Sequence, residues 1–276
     1  MTASTAAAGR GWKASRLAWN VLSRAAAASL LAFLLAPVLA LVLSLRWDDF
    51  SAGLAHPLAV PALKLTLLTS ICSLLLVTGL GTLLAWQLAH GRIRGARWLE
   101  TLSQLPIVMP PAVAGLGLLL AFGQRGTFGR WLSGATDLTL PFTTAAVVLA
   151  ETFVSAPFYV QAAVAAFRRV DPELLLAARS LGASPARVFA RVGLPLCAPA
   201  LLGGAATSWA RAIGEFGATL MFAGNLTGRT QTMSLAVYTA MESDLRAAQS
   251  LAVVLVGVAF GLLAVLRAVP PPGAAP

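Results

Sequence analysis

The chain has 276 residues, of which 58% are hydrophobic and 11% charged, with a mean hydropathy of +0.80 and a formal net charge of +10. A soluble domain is roughly half apolar and about a quarter charged, so this composition leaves too little polar surface for a water-soluble fold. It excludes a soluble enzyme, a disordered chain and a disulfide scaffold, and implies an integral membrane protein. The two cysteines, Cys72 and Cys197, lie in apolar runs and support neither a disulfide framework nor a metal site.

A membrane helix needs roughly 20 mostly apolar residues to cross about 30 Å of hydrocarbon. Six stretches meet this, at 25–45, 63–89, 101–123, 143–167, 194–222 and 251–266. They are too long and too uniform for the alternating pattern of a transmembrane barrel. The expected fold is therefore all-α, with six transmembrane helices. The first run is read as an uncleaved helix, since Ser44-Leu45-Arg46-Trp47 makes a poor cleavage site. Residues 1–24 form an N-terminal tail, loosely ordered before the first span, 25–267 the membrane domain, and 268–276 a C-terminal tail. That last segment is rich in Pro, Ala and Gly and cannot continue a helix.

The basic residues sort by connection. Arg10, Lys13, Arg16, Arg24, Arg92, Arg94, Arg97, Arg168, Arg169, Arg179, Arg187, Arg191 and Arg267 fall on one side. Arg46, Lys64, Arg125, Arg130, Arg229 and Arg246 fall on the other. The richer side is cytoplasmic. Both termini are thereby placed in the cytoplasm of a multi-pass inner-membrane protein. Topology explains the positive charge, and no nucleic-acid partner is implied.

Along the chain, Pro110-Pro111 breaks the third stretch near its middle. Backbone groups freed in this way are tolerated where they line a cavity or are covered by protein, so these prolines are candidates for a gate or constriction. Gly115 and Gly117 follow and allow close helix approach. Glu151, Arg211 and Glu215 are charges inside spans, costly in hydrocarbon, and must face the bundle interior or water. Glu151 is expected to be protonated or bonded to a Ser or Thr of a neighbouring helix. Arg211 and Glu215, four apart, meet on one helix face. Either they neutralise each other and fix packing, or Arg211 lends positive potential to a path for an anion. Gly257 and Gly261 form a Gly-x-x-x-Gly pair that suggests a helix contact.

The connection 168–193 reads RRVDPELLLAARSLGASPARVFARVG. Asp171 is an N-cap, with Pro172 at the first helical position. Gly182 ends this helix, and Ser184-Pro185 starts a second by the same logic. Two short amphipathic helices across the cytoplasmic face are expected. They either rest on headgroups or form a docking surface for a soluble partner.

Ala177-Ala178, Gly182, Val192 and Leu194-Pro195 resemble the cytoplasmic "EAA" loop of ABC importer permeases. That pattern is Glu-Ala-Ala, three residues, Gly, nine residues, Ile, one residue, Leu-Pro. Leu176 stands at the Glu position and Val192 at the Ile. The missing charge leaves coupling strength open; Glu173, one turn earlier, is a partial substitute. Leu105 to Pro111, running on to Gly115, Gly117, Phe122-Gly123 and Gly126, resembles sulfate and molybdate permeases. The run Arg211-Ala212-Ile213-Gly214-Glu215-Phe216-Gly217-Ala218-Thr219, continuing to Asn225 and through Arg229 to Tyr238, looks like the molybdate type.

The resemblance covers about 63–267. It implies a type I ABC permease fold and a homodimer of this chain in lipid, with two ABC ATPase subunits and an extracytoplasmic oxyanion-binding protein. The chain has no Gly-x-x-x-x-Gly-Lys-Ser/Thr phosphate loop. It is therefore read as a transport subunit rather than an enzyme, binding no cofactor itself, with ATP used by the partner ATPase. The loop helix would sit in a groove of that ATPase, with Leu174, Leu175, Leu181 and Phe189 as buried anchors. The outer loop 224–244 is the expected surface for the binding protein, with Asn225, Arg229 and Glu242 exposed. A sulfate or thiosulfate permease is the nearest alternative. A secondary anion transporter is another, but it would need a two-half repeat that is not visible. A membrane enzyme would need a cluster of polar groups at one face, whereas His56 and His90 fall on opposite sides.

Overall fold

The computed structural model describes residues 2–91, 93–136 and 139–268; Arg92 and the tail 270–276 lie outside the described residues. The elements in order are α1 (Thr2–Leu43), α2 (Trp47–Leu54), α3 (Ala59–His90), α4 (Ala96–Ser103), α5 (Leu105–Val108), α6 (Pro111–Phe122) and α7 (Thr127–Thr136). There follow α8 (Thr144–Arg168), α9 (Pro172–Ser180), α10 (Pro185–Val188), a π-helical turn (Phe189–Gly193), α11 (Leu194–Ile213), α12 (Gly217–Ala223), α13 (Met233–Ser243) and α14 (Leu245–Ala268). Among the described residues there is no strand.

Two compact units divide the chain, Met1–Phe50 and Ser51–Pro276. In the first, α1 runs without interruption from Thr2, so the stretch expected to be loosely ordered is helical. Ala, Leu, Arg and Lys dominate it, and these are strong helix formers. Its part Trp19–Leu43 has a mean hydropathy of 2.6.

The second unit is a helical bundle with three core clusters. At one end, the C-terminal turns of α3 and α8 meet the 168–193 connection through Leu88, Phe167, Leu175 and Val188. A second cluster, at the start of α8, joins α6 and α12 through Ala114, Val147, Ala218 and Phe222. At the opposite end the start of α3 meets α13 and α14 through Ala59, Ala62, Met233, Ala236 and Leu251.

The packing follows membrane rules. Along α3 the buried residues Thr66, Thr69, Ser73, Val77, Gly81 and Ala85 are small or hydroxylated. Leu68, Leu75, Leu80 and Leu83 point outward. In hydrocarbon a leucine gains nothing by turning inward, whereas small residues let helix backbones approach. Tyr159 of α8 uses that closeness on both sides. A Cβ on Gly81 would stand 3.0 Å from its ring, and one on Gly204 would stand 2.7 Å from Ala162 beside it. Its hydroxyl hydrogen-bonds the Thr82 hydroxyl.

Among the described residues, five helices are long and apolar enough to cross a membrane, or six if one bent pair counts as a span. That pair is the third stretch, broken at Pro110-Pro111 as its sequence predicts. Residues Ala96–Val108 and Pro111–Phe122 meet at 116°. Pro110 has φ −54° and ψ 137°, the extended conformation imposed on a residue before proline. α6 has 12 residues, about 18 Å at 1.5 Å per residue, too short to cross alone. The fifth span is displaced too. It runs Pro185–Ile213, starting nine residues before the expected 194 and ending before the expected 222.

Candidate functional site

The first candidate region is the 168–193 connection. Asp171 caps α9 as its spacing predicts, its Oδ1 accepting the Glu173 backbone N–H at 2.9 Å. Gly182 closes the segment at φ +81°. Ser184 then caps the next helix by accepting the Arg187 N–H at 3.4 Å. Here the expectation of two short surface helices fails. Only α9 stands apart. The second continues through the π-turn into α11 as one piece, Pro185–Ile213. Gly193 allows this, because a Cβ there would lie 2.5 Å from the Trp86 ring. Trp86, Phe167, Phe189 and His90 form an aromatic cluster under the loop.

That cluster also corrects the anchor list. Leu175 is 4% exposed and belongs to the chain's own core, and Phe189 packs against the same core. Neither is free for a partner. Leu174, Leu176 and Leu181 are exposed, the last at 89%. Glu173, Ala177 and Pro195 are also exposed, whereas Ala178, Val192 and Leu194 pack partly on the core. α9 is therefore pinned by Leu175 and presents Leu174 and Leu176 outward, with Leu181 exposed just past its end. The sequence reading missed Glu100. Its carboxylate holds Arg168 at two points and ties α4 to the end of α8. A lone Glu in an exposed amphipathic segment gives no signal of a partner 68 residues away.

The second region is where two helices break. α6 begins at Pro111 and α12 at Gly217, and they start side by side. A Cβ on Gly217 would stand 2.6 Å from the Pro111 Cβ. One turn on, a Cβ on Gly115 would stand 2.6 Å from the Met221 Cβ and 2.8 Å from the Ala218 carbonyl oxygen. Gly115 is thus a close-approach glycine. Gly117 is not, since it meets only the Met109 Cε at 4.0 Å. Among the described residues nothing from another element lies within 4 Å of such a Cβ at Gly257 or Gly261, so the expected helix contact is not made there.

Arg211 and Glu215 sit at this break, and they do not share a helix. α11 ends at Ile213, and Glu215 lies in the three residues before α12. The pair nevertheless closes, with Arg211 Nη2 2.7 Å from Glu215 Oε2. Glu215 Oε1 accepts the Ala218 backbone N–H at 2.7 Å. One carboxylate therefore joins the end of α11 to the start of α12. Cation at a helix C-terminus and anion at a helix N-terminus both match the helix dipole. The Glu215 side chain is 1% exposed, that of Arg211 30%.

Glu151 of α8 is 1% exposed, and its Oε1 accepts the Thr69 hydroxyl of α3 at 2.9 Å. The expected Ser or Thr partner is thus present. Its Oε2 has no partner among the described residues.

The outer stretch 224–244 differs most from its expected form. It is not an open loop. Thr230, Gln231 and Thr232 are buried, and the Thr66 hydroxyl accepts the Met233 N–H at 2.7 Å. α13 follows and joins the core. Asn225 is half-buried and donates to the Thr239 hydroxyl at 2.9 Å, while Arg229 and Glu242 are exposed as expected. Tyr238 hydrogen-bonds the Glu242 carboxylate, which raises its phenol above the ordinary tyrosine value. The alternation of polar and apolar residues before Met233 hid this helix from the sequence.

Among the described residues, no group of three or more His, Cys, Asp or Glu is placed to hold a metal ion. The arrangement is one of helix breaks, an ion pair and an exposed surface helix.

Known proteins resemble this chain along most of its length. It is 41% identical over 227 residues to the molybdenum transport system permease protein ModB of Mycobacterium tuberculosis, covering 82% of this chain and 86% of that one. It is 36% identical over 234 residues to the sulfate transport system permease protein CysT of Escherichia coli, covering 83% and 84%. The crystal structure of a bacterial ABC transporter that imports the acidic polysaccharide alginate aligns with a TM-score of 0.73 at 17% identity, covering 94% of this chain and 97% of that one. Residues 77–268 match the family described as binding-protein-dependent transport system inner membrane component. This chain, with its multi-pass helical bundle, belongs to that family.

Proposed function

We propose that the chain is the permease subunit of an ATP-driven importer that carries molybdate or tungstate across the cytoplasmic membrane. The observation that carries this reading is the 41% identity to molybdenum permeases over 82% of the chain. The exposed α9 leucines support it. In this reading two ABC ATPase subunits each hold an α9 helix, and closure on ATP moves the helices as rigid levers and reopens the bundle outward. The coupling contact is made by Glu173, Leu176 and Ala177. Ala178, Gly182, Val192, Leu194 and Pro195 position them. ATP is bound and hydrolysed by the partner, and this chain holds no cofactor.

A second copy of the chain completes the path, and an extracytoplasmic oxyanion-binding protein delivers the substrate. Both termini lie in the cytoplasm, by the placement of basic residues. Pro110, Pro111, Arg211 and Glu215 flank the path at the helix breaks. The 36% identity to a sulfate permease supports sulfate as the second reading.

The test is uptake of labelled molybdate in cells with and without the chain, with tungstate and sulfate as competitors. Chain-dependent uptake blocked by tungstate but not by excess sulfate is expected. Uptake erased by sulfate would move the substrate to the sulfate class.

A further inference from the structure

The outward faces of α3 and α11 differ in kind. α3 presents Leu68, Leu75, Leu80 and Leu83, each more than half exposed. α11 presents Gly203, Thr207 and Ala210, and Gly214 just past its end continues the face, all exposed and spaced four, three and four apart. A face with so little apolar area gains little from hydrocarbon. Arg211 stands at the edge of that open face. Its guanidinium carries five donors in a planar fork. Its recorded contact is Nη2 with Glu215, and among the described residues no other acceptor bonds it. Glu215 stands behind it, buried, with its other oxygen on the Ala218 N–H. If the guanidinium turns away, Oε1 keeps that N–H while Oε2, with no hydrogen-bond partner among the described residues, loses its ion pair, and this draws Arg211 back.

We infer that Arg211 is an exchange site for the transported tetrahedral oxyanion, with Glu215 as the competing anion that makes it release. The inference rests on the importer reading above. The oxyanion takes the free edge of the guanidinium fork. Glu215 falls back on the Ala218 N–H, then recovers Arg211 as the oxyanion leaves. A bare arginine fork holds a dianion strongly, and a path needs sites weak enough to empty. Backing the cation with a buried carboxylate supplies that weakness. No bond is made or broken, and the donors simply change acceptor.

The experiment combines uptake in cells with equilibrium dialysis of the purified full chain against labelled molybdate. Glu215→Gln keeps an oxygen for the Ala218 N–H but removes the competing charge. It should tighten molybdate retention about tenfold, the scale of one charge-assisted hydrogen bond, and slow uptake at unchanged membrane level. Arg211→Gln should abolish both retention and uptake. The double variant Arg211→Gln/Glu215→Gln keeps a neutral, hydrogen-bonding pair and should remain inactive. If the double variant instead restores uptake, or if Glu215→Gln retains molybdate like the native chain, the exchange site is wrong while the importer reading stands. If the native chain supports no molybdate, tungstate or sulfate uptake, both fall together.

Discussion

Arg168 and Glu100 form a two-point ion pair, with Nη1 3.0 Å from Oε1 and Nη2 2.6 Å from Oε2. It fastens α4 to the last turn of α8, one residue before the connection that carries α9 begins to turn. The Arg168 side chain is 47% exposed, so solvent screens the pair. Such a pair contributes below about 1 kcal/mol. Glu100→Gln should therefore lower the thermal stability of the detergent-purified protein slightly at low salt and not at all near 1 M salt, where the screening length is about 3 Å. Thermal unfolding at the two salt levels checks this.

Leu175 and Leu176 are neighbours with opposite fates. Leu175 is 4% exposed in the core and Leu176 58% exposed. Leu175→Ala should cost roughly 2–5 kcal/mol of folding stability, as for other buried leucines. Leu176→Ala should leave stability unchanged and reduce ATP-driven uptake. Measuring thermal stability and uptake for both variants separates core packing from partner contact.

Gly182 is constrained by its backbone, not by its surroundings. Its φ is +81° and nothing lies within 4 Å of a Cβ built there. A β-branched residue is disfavoured in that conformation, at about 1–2 kcal/mol, while Asn tolerates it. Gly182→Val should uncouple uptake while membrane insertion persists, and Gly182→Asn should retain most uptake. Equal loss in both variants would point to a steric requirement from a partner instead.

Gly115 and Gly117 test the junction of the broken helices. A Cβ at Gly115 would collide with Met221 and the Ala218 carbonyl, whereas one at Gly117 meets only the Met109 Cε at 4.0 Å, ordinary contact distance. Gly115→Ala should force α6 from α12 and cost roughly 1–3 kcal/mol. Gly117→Ala should be neutral or slightly stabilising, since Ala is about 1 kcal/mol better than Gly in a helix. Denaturation midpoints of the two variants give the comparison.

Glu151 is a buried carboxyl whose recorded hydrogen bond comes from Thr69. Glu151→Gln keeps an oxygen for that hydroxyl and introduces no charge, so expression and stability should be preserved. Glu151→Leu removes the acceptor. The Thr69 hydroxyl then retains the Leu65 carbonyl of its own helix, 3.0 Å away, so the loss should stay within about 1–2 kcal/mol. A collapse of Glu151→Gln alone would show that the charge itself holds the bundle.

Hydropathy and short caps were enough to read the membrane class, most of the long helices and the 168–193 connection with its Asp171 and Gly182 boundaries. These depend on residues within a few positions of one another, so the sequence carries them directly. The tertiary structure decided the rest. Which leucine of 174–176 turns inward depends on Trp86, Phe167 and Phe189 arriving from other helices. The break at Pro110-Pro111 was legible, but neither its 116° angle nor the packing of α6 on α12 was. Arg211 and Glu215 showed the right spacing for a pair, but the helix end between them was invisible to a count of four. Helix 233–243 reads as loop because its burial is set by α3 and α14. Hydrophobicity in a membrane chain says which segments enter lipid. It does not say which face packs, because lipid and protein interiors are equally apolar and only small residues and specific hydrogen bonds choose between them.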